Sequence, residues 1–97
     1  MVKEIRWSVK ADRERLDILE YWVNRNKSVS YSIKLSKLFV EKTKQLSKYP
    51  ELGIPTKHLL IRIKVVEAYL IYYEINPDHI KILTIWDSRR DPNKLKL

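Results

Sequence analysis

Apolar and polar residues alternate along the carboxy-terminal half of the chain with the two-residue period of β-strands. Residues 69–75 and 80–86 are rich in β-branched and aromatic side chains, and the turn signal Asn76-Pro-Asp78 separates them. Residues 59–66 alternate in the same way, and two residues join them to the next run. These three runs predict an antiparallel meander of three strands.

The amino-terminal half carries a helical period instead. Residues 2–7 alternate and predict a short strand, and Ser8 follows as a helix N-cap. Over residues 9–24, apolar side chains recur at spacings of three, four and seven positions, which predicts an amphipathic helix. These side chains are Leu16, Ile18, Leu19, Trp22 and Val23.

A second helix is predicted from a cap at Ser28 or Ser30 to about Lys48, and it forms an antiparallel hairpin with the first. Pro50 disfavours helix at the residue before it, and Gly53 supplies an unrestricted backbone, so the helix ends in a loop. One apolar stripe runs along this helix. It comprises Tyr31, Leu35, Leu38, Phe39, Leu46 and Tyr49.

The element order is β-α-α-β-β-β. We therefore predict an α+β fold of two layers, with the helical hairpin packed on an antiparallel sheet. Ninety-seven residues are enough for one core but too few for two, so residues 1–97 are expected to form a single domain.

Composition excludes several kinds of function. The chain has no cysteine, and His58 and His79 have no carboxylates at the spacing of a metal site, so we expect neither a metal nor another cofactor. The longest apolar run, residues 68–73, falls far short of the ~20 residues that span a bilayer. With no secretion signal at the amino terminus, we expect a cytoplasmic protein.

The net charge of +8 predicts an acidic partner, whether nucleic acid, anionic lipid or protein. Arg62 and Lys64 stand two positions apart on one strand, so they share a face, and Arg89 and Arg90 follow the last strand. Tyrosines lie between the two pairs. They are Tyr69, Tyr72 and Tyr73. If the last two strands are neighbours, these charges could converge across the open face of the sheet.

Such a cluster could bind nucleic-acid phosphates while the tyrosines stack on bases. It could also cleave RNA without metal, because arginine and lysine can stabilise charge on a phosphate attacked by the ribose 2′-hydroxyl. A second interpretation stays open for each residue. In it, Asp87 and Asp91 pair locally with the arginines, and Arg62 and Lys64 form the solvated face of a strand.

Three features of the chain together resemble the RelE/ParE superfamily of toxins from bacterial type II toxin–antitoxin modules. They are the helical hairpin, the turn Tyr49-Pro-Glu-Leu-Gly53, and the closing strands that run into Arg89, Arg90, Asp91 and Pro92. No single motif is specific, but their order and spacing cover nearly the whole chain. The resemblance implies a toxin that arrests growth and is neutralised by a cognate antitoxin.

The two branches of the superfamily imply different targets. The RelE-like branch cleaves messenger RNA on the ribosome, and the resemblance would make Arg62, Lys64 and Arg89 the catalytic residues. The chain departs from that branch at Leu70, where an arginine is usual, and it has no tyrosine after Arg90.

The ParE-like branch poisons DNA gyrase and has no known need for those groups, so it is the favoured expectation. Whether the protein is an enzyme depends on the branch. In the ParE-like case, Arg62, Lys64, Tyr72, Arg89 and Arg90 would contact the target. The basic surface and the long apolar helix faces predict an acidic, partly disordered antitoxin that folds on binding.

Overall fold

A computed structural model describes residues 2–95. Two helices form one layer and five strands form the other. The elements follow in the order β1 (Glu4–Trp7), α1 (Val9–Asn26), α2 (Ser30–Lys48), β2 (Ile54–Pro55), β3 (Ile61–Val66), β4 (Tyr69–Ile75) and β5 (His79–Asp87). Single 3₁₀ turns lie at Pro50–Leu52 and Pro92–Lys94. The predicted α+β, two-layer fold is confirmed.

The strand order in the sheet is β1-β5-β4-β3-β2. The meander β3-β4-β5 is antiparallel, as predicted, but β1 pairs with β5 in parallel, so the sheet is mixed. The parallel pairing brings the end of β1 beside Ile82, and the Ser8 amide donates a 3.0 Å hydrogen bond to the Ile82 carbonyl. This contact fixes where α1 begins. The two-residue strand β2 was not predicted, because it is too short to show a period.

The first helix is capped as predicted, since the Ser8 hydroxyl accepts a 3.0 Å hydrogen bond from the Ala11 amide. The predicted cap of the second helix is wrong. Val29 is the N-cap of α2 and makes no side-chain capping bond. The Ser28 hydroxyl instead accepts a hydrogen bond from the Ser30 amide, a local turn contact that competes with capping.

The core lies between the helices and one face of the sheet. Leu35, Phe39 and Leu46 of α2 are fully buried there. Leu16 departs from the predicted stripe of α1, because its side chain is 58% exposed. It stands five residues after the fully buried Ala11, and five residues advance a helix by roughly 500°, which carries the side chain toward solvent.

The Tyr73 side chain helps to fasten the loop after α2 to the sheet. The Tyr73 hydroxyl donates a 2.6 Å hydrogen bond to the Pro50 carbonyl and accepts a 2.9 Å bond from the Gly53 amide. A Cβ atom on Gly53 would lie 2.5 Å from that hydroxyl and 2.8 Å from the Ile63 carbonyl oxygen. The φ angle of Gly53 is −76°, so glycine is needed here for its small size and not for the backbone freedom that we expected.

Candidate functional site

Arg62 and Lys64 share one face of β3, as the alternation predicts, but that face is the helix side of the sheet. Arg62 lies opposite Tyr73 and Lys64 opposite Ile71 in the register of β3 and β4. Tyr73 and Ile71 are both fully buried in the core beneath the helices. The expectation that these two basic residues stand on the open face is therefore wrong. The sequence alternation separated the two faces, but the helices cover the one that carries the basic pair.

The guanidinium of Arg62 is bound to the loop after α2. Its Nη1 donates to the Gly53 carbonyl at 2.9 Å and to the Glu51 carbonyl at 3.2 Å. Together with Tyr73, Arg62 thus holds the Tyr49–Gly53 turn against the sheet. These bonds use the N–H groups of Nη1, one of the three nitrogens of the guanidinium.

Arg89 forms a local ion pair, as the second interpretation of the sequence predicted. Its Nη2 and Nε donate to the two carboxylate oxygens of Asp87 at 2.7 and 3.0 Å, and its backbone amide donates to the same carboxylate at 2.9 Å. These hydrogen bonds lower the pKa of Asp87 and raise the pKa of Arg89. Because the Arg89 side chain is 60% exposed, this pair presents the guanidinium to solvent in a fixed orientation.

Arg90 takes a different direction. Its guanidinium carbon lies 4.4 Å from the centre of the Trp86 ring, a cation–π contact. Trp86 pairs with Leu70 on the open face of the sheet, opposite the helices. The two adjacent guanidiniums therefore have different partners at the end of β5, Asp87 for Arg89 and the Trp86 ring for Arg90.

The two basic pairs do not converge. Arg62 lies opposite Tyr73, and Asp87, which holds Arg89, lies opposite Tyr69. Four residues of strand separate these positions by roughly 13 Å, and β4 lies between β3 and β5, which adds roughly 9 to 10 Å across the sheet. Lys64 lies between the two ends, opposite Ile71.

The predicted tyrosines are divided between the two faces. Tyr69 and Tyr73 are buried on the helix side, whereas Tyr72 is half-buried on the open face. Around Tyr72 the open face is apolar. We call this the open-face patch, and it comprises Ile54, Ile63, Val65, Leu70 and Tyr72, which the strand register places side by side. The side chains of Ile54 and Val65 are 56% and 49% exposed.

A cleft of about 360 Å³, here called the α1 cleft, lies between α1, the start of β4 and the end of β5. Its helical wall comprises Glu14, Asp17, Ile18 and Tyr21, and its sheet wall comprises Tyr69, Ile85, Asp87, Arg89 and Arg90. The sequence identified Arg89, Arg90 and Tyr69, but it gave no reason to single out the residues of α1. They meet the sheet through tertiary packing, for which a single sequence carries no signal.

Two hydrogen bonds fix the walls of the α1 cleft. Glu14 Oε1 accepts from the Thr84 hydroxyl at 2.7 Å and from the Ile85 amide at 3.2 Å, beside the irregular step in the β4–β5 pairing. Trp22 Nε1 donates to the Tyr69 hydroxyl oxygen at 2.8 Å. Burial raises the pKa of Tyr69, so this hydroxyl keeps its proton at neutral pH.

Within residues 2–95, no group of three or more His, Cys, Asp or Glu side chains is placed to hold a metal ion. In the same part of the chain, no helix is both long and apolar enough to cross a membrane. The site is thus made of arginine, tyrosine and carboxylate side chains.

Comparison with known proteins agrees with this architecture. A solved structure described as the chromosomal ParDE TA system from P. aeruginosa has a TM-score of 0.73 with this chain, at 20% sequence identity, over 87% of this chain and 94% of that one. No curated protein sequence matches the chain. The structural likeness shows that the two chains share this two-layer α+β fold.

The family model described as the ParE toxin of the type II toxin–antitoxin system parDE matches residues 5–92. The chain belongs to this ParE toxin family. It is a ParE-like toxin, and its context in a toxin–antitoxin system gives it a cognate antitoxin as a partner. Of the two branches that the sequence suggested, the ParE-like one is confirmed.

Proposed function

We propose that this toxin arrests growth by poisoning DNA gyrase. Membership of the ParE family over residues 5–92 is the observation that carries the proposal, because gyrase is the target that the ParE-like resemblance implies. The proposal places its action in the cytoplasm, where gyrase meets DNA.

The geometry counts against the RelE-like alternative, a ribosome-dependent endoribonuclease. That reaction needs Arg62, Lys64 and Arg89 around one phosphate. Arg62 is bonded to the Glu51 and Gly53 carbonyls, and Arg89 lies at the other end of the sheet, bonded to Asp87. A phosphate held by Arg89 would lie beyond the reach of Arg62.

The target contacts that we propose are Arg89, Arg90 and Tyr72. Arg89 is an exposed cation with a fixed direction, because Asp87 binds the Nε–Nη2 edge of its guanidinium. Lys64 is half-buried on β3 and remains a candidate contact. For Arg62 we propose a structural role in place of a contact, since its bonds fasten the loop after α2.

We further propose that the antitoxin is acidic and partly disordered, and that it binds the open-face patch. The apolar residues of the helices are divided between core and surface. Leu35, Phe39 and Leu46 are fully buried, whereas Ile33 and Val40 are each 51% exposed. The open-face patch is exposed and apolar. An apolar face on a protein of net charge +8 favours an acidic segment with apolar side chains.

Controlled expression tests the proposal. The chain is induced from a repressed promoter, and gyrase-linked DNA breaks and cleavage of ribosome-bound messages are measured separately in the same cells. The proposal expects DNA breaks with intact messages. Cleaved messages with intact DNA would overturn it and return Arg62, Lys64 and Arg89 to the role of catalytic candidates.

The contact residues are tested with paired variants. Arg89→Ala and Arg90→Ala should each reduce the gyrase-linked breaks while the protein stays folded. Arg13→Ala, which removes an exposed arginine on the outer side of α1, is the matched control. Equal loss in all three variants would show that total charge, and not these two positions, determines the activity.

A further inference from the structure

The α1 cleft differs in charge from the protein as a whole. Its lining contains three carboxylates, on Glu14, Asp17 and Asp87, against the guanidiniums of Arg89 and Arg90. The chain carries a net charge of +8. Asp87 is paired with Arg89, and Glu14 Oε1 already accepts two hydrogen bonds. Within residues 2–95, the acceptors left on the helical wall are therefore Glu14 Oε2 and the Asp17 carboxylate. This wall favours a ligand that brings N–H donors.

The floor of the cleft offers a donor of its own. Tyr69 is only 3% exposed and lines the cleft. An indole N–H can only donate, so in the bond between Trp22 and Tyr69 the phenol oxygen is the acceptor. Among residues 2–95 the Tyr69 hydroxyl is seen to accept this bond and to donate none, so its hydrogen is available to a ligand. The raised pKa of Tyr69 keeps that hydrogen in place.

The rest of the cleft is apolar and aromatic. Ile18 and Ile85 lie at its base, and Tyr21, which is 48% exposed, stands at its outer wall. A volume of about 360 Å³ lies in the range of small-molecule sites. Such a space suits a flat ring with polar atoms along its edge.

From these observations we infer that the α1 cleft binds a nucleobase that carries both a carbonyl oxygen and an exocyclic amine. The Tyr69 hydroxyl donates to the carbonyl, and the carboxylates of Asp17 and Glu14 accept from the amine. Arg89 and Arg90 stand at the rim, where a sugar-phosphate would leave the cleft. This site is additional to the gyrase proposal and does not depend on it.

The inferred site should distinguish between nucleobases. Cytosine and guanine carry both groups, whereas uracil and hypoxanthine keep the carbonyl but lack the amine. A base without the amine leaves the carboxylate wall unpaired, and that costs binding. Comparing cytosine with uracil, and guanine with hypoxanthine, therefore tests the contact between the carboxylates and the exocyclic amine.

The experiment titrates isotope-labelled full-length toxin with four nucleotides and follows its backbone amides by NMR. The probes are the 5′-monophosphates of cytidine, uridine, guanosine and inosine. We expect shifts at the amides of Asp17, Tyr69 and Ile85, and binding about fivefold or more tighter for cytidine over uridine and for guanosine over inosine, as one well-placed hydrogen bond to a charged group gives.

Variants locate the effect. Tyr69→Phe keeps the ring but removes the hydroxyl. Asp17→Asn removes a charge from an exposed position, so it should fold and can test the inference even if Tyr69→Phe does not fold. Each should weaken cytidine and guanosine monophosphate about fivefold. Tyr49→Phe and Glu20→Gln are the matched controls at exposed positions outside the cleft, and they should not change the affinities.

Three results would overturn the inference. Equal affinity for all four nucleotides would mean that the phosphate alone is bound. Shifts of the cleft amides with N-acetylarginine amide, but with none of the nucleotides, would mean that the cleft takes a cationic side chain of a protein partner. The absence of cleft shifts with every probe would mean that the cleft is not a nucleobase site.

Discussion

The amide of Gly53 donates a 2.9 Å hydrogen bond to the phenol oxygen of Tyr73, twenty positions later in the chain. The same hydroxyl donates to the Pro50 carbonyl at 2.6 Å, so one tyrosine satisfies two backbone groups of the loop after α2. These two bonds form a joint between the loop after α2 and β4, the middle strand of the sheet. Burial raises the pKa of Tyr73, which keeps the hydroxyl protonated and the donation intact at neutral pH.

Tyr73→Phe should therefore destabilise the fold. The change keeps the buried ring and leaves the Gly53 amide and the Pro50 carbonyl without their partner, which costs about 1–3 kcal/mol. Denaturant unfolding followed by circular dichroism measures it. Tyr72→Phe, the same change on the open face, is the control and should cost well under about 1 kcal/mol. Equal losses in the two variants would contradict the account of this joint.

Gly53→Ala should destabilise the protein because the added methyl meets the Tyr73 hydroxyl at 2.5 Å and the Ile63 carbonyl at 2.8 Å. We expect a loss of roughly 1–3 kcal/mol in the free energy of unfolding. In the double variant with Tyr73→Phe, removing the hydroxyl relieves one clash, so the combined loss should be smaller than the sum of the single losses. A strictly additive result would show that the two residues do not meet.

Arg62→Ala should lower the free energy of unfolding by about 1 kcal/mol, because the Glu51 and Gly53 carbonyls lose their bonds to the guanidinium. Lys64→Ala, two positions along the same face, is the control and should cost less. The same protein samples should then be compared for gyrase poisoning per folded molecule. If Arg62→Ala abolished poisoning while remaining folded, the structural role assigned to Arg62 would be wrong.

The pair of Asp87 and Arg89 predicts how stability responds to acid. The pKa of Asp87 is lower in the folded protein than in the unfolded chain, so its contribution is present above the unfolded value of about 3.9 and is lost as the pH falls through the folded value. The stability gap between the natural protein and Asp87→Asn should be constant near neutral pH and shrink in acid.

Unfolding free energies measured at successive pH values from neutral down to about pH 2 test whether this stability difference shrinks in acid. Asp17→Asn is the matched control, since within residues 2–95 no hydrogen bond or ion pair of the Asp17 side chain is seen. Its difference from the natural protein should not shrink in the same way. A gap for Asp87→Asn that persisted undiminished in strong acid would contradict the stabilising role of the pair.

The sequence predicted most of the fold because the signals were local. The turn at Asn76 and Pro77, the period of β4 and the Ser8 cap each depend on neighbouring residues, and all three are confirmed. The parallel pairing of β1 with β5 was missed because it joins residues more than seventy positions apart. The two residues of β2 are too few to carry a period.

The site was predicted less well for a related reason. Alternation placed Arg62 and Lys64 on one face of a strand and the apolar Ile63 and Val65 on the other, a pattern that favours the apolar pair as the face against the helices. The structure puts the apolar pair on the open face and binds Arg62 to the loop. Glu14 and Asp17 enter the site only because α1 crosses β5.

Our proposal is that this toxin poisons gyrase through the end of β5. It is tested most directly by incubating purified gyrase with supercoiled plasmid and toxin, trapping the covalent complexes with detergent, and counting cleaved DNA on a gel. The account predicts toxin-dependent cleavage that falls in Arg89→Ala and stays in Arg13→Ala. No cleavage above the toxin-free control, from folded toxin that still arrests growth, would contradict it.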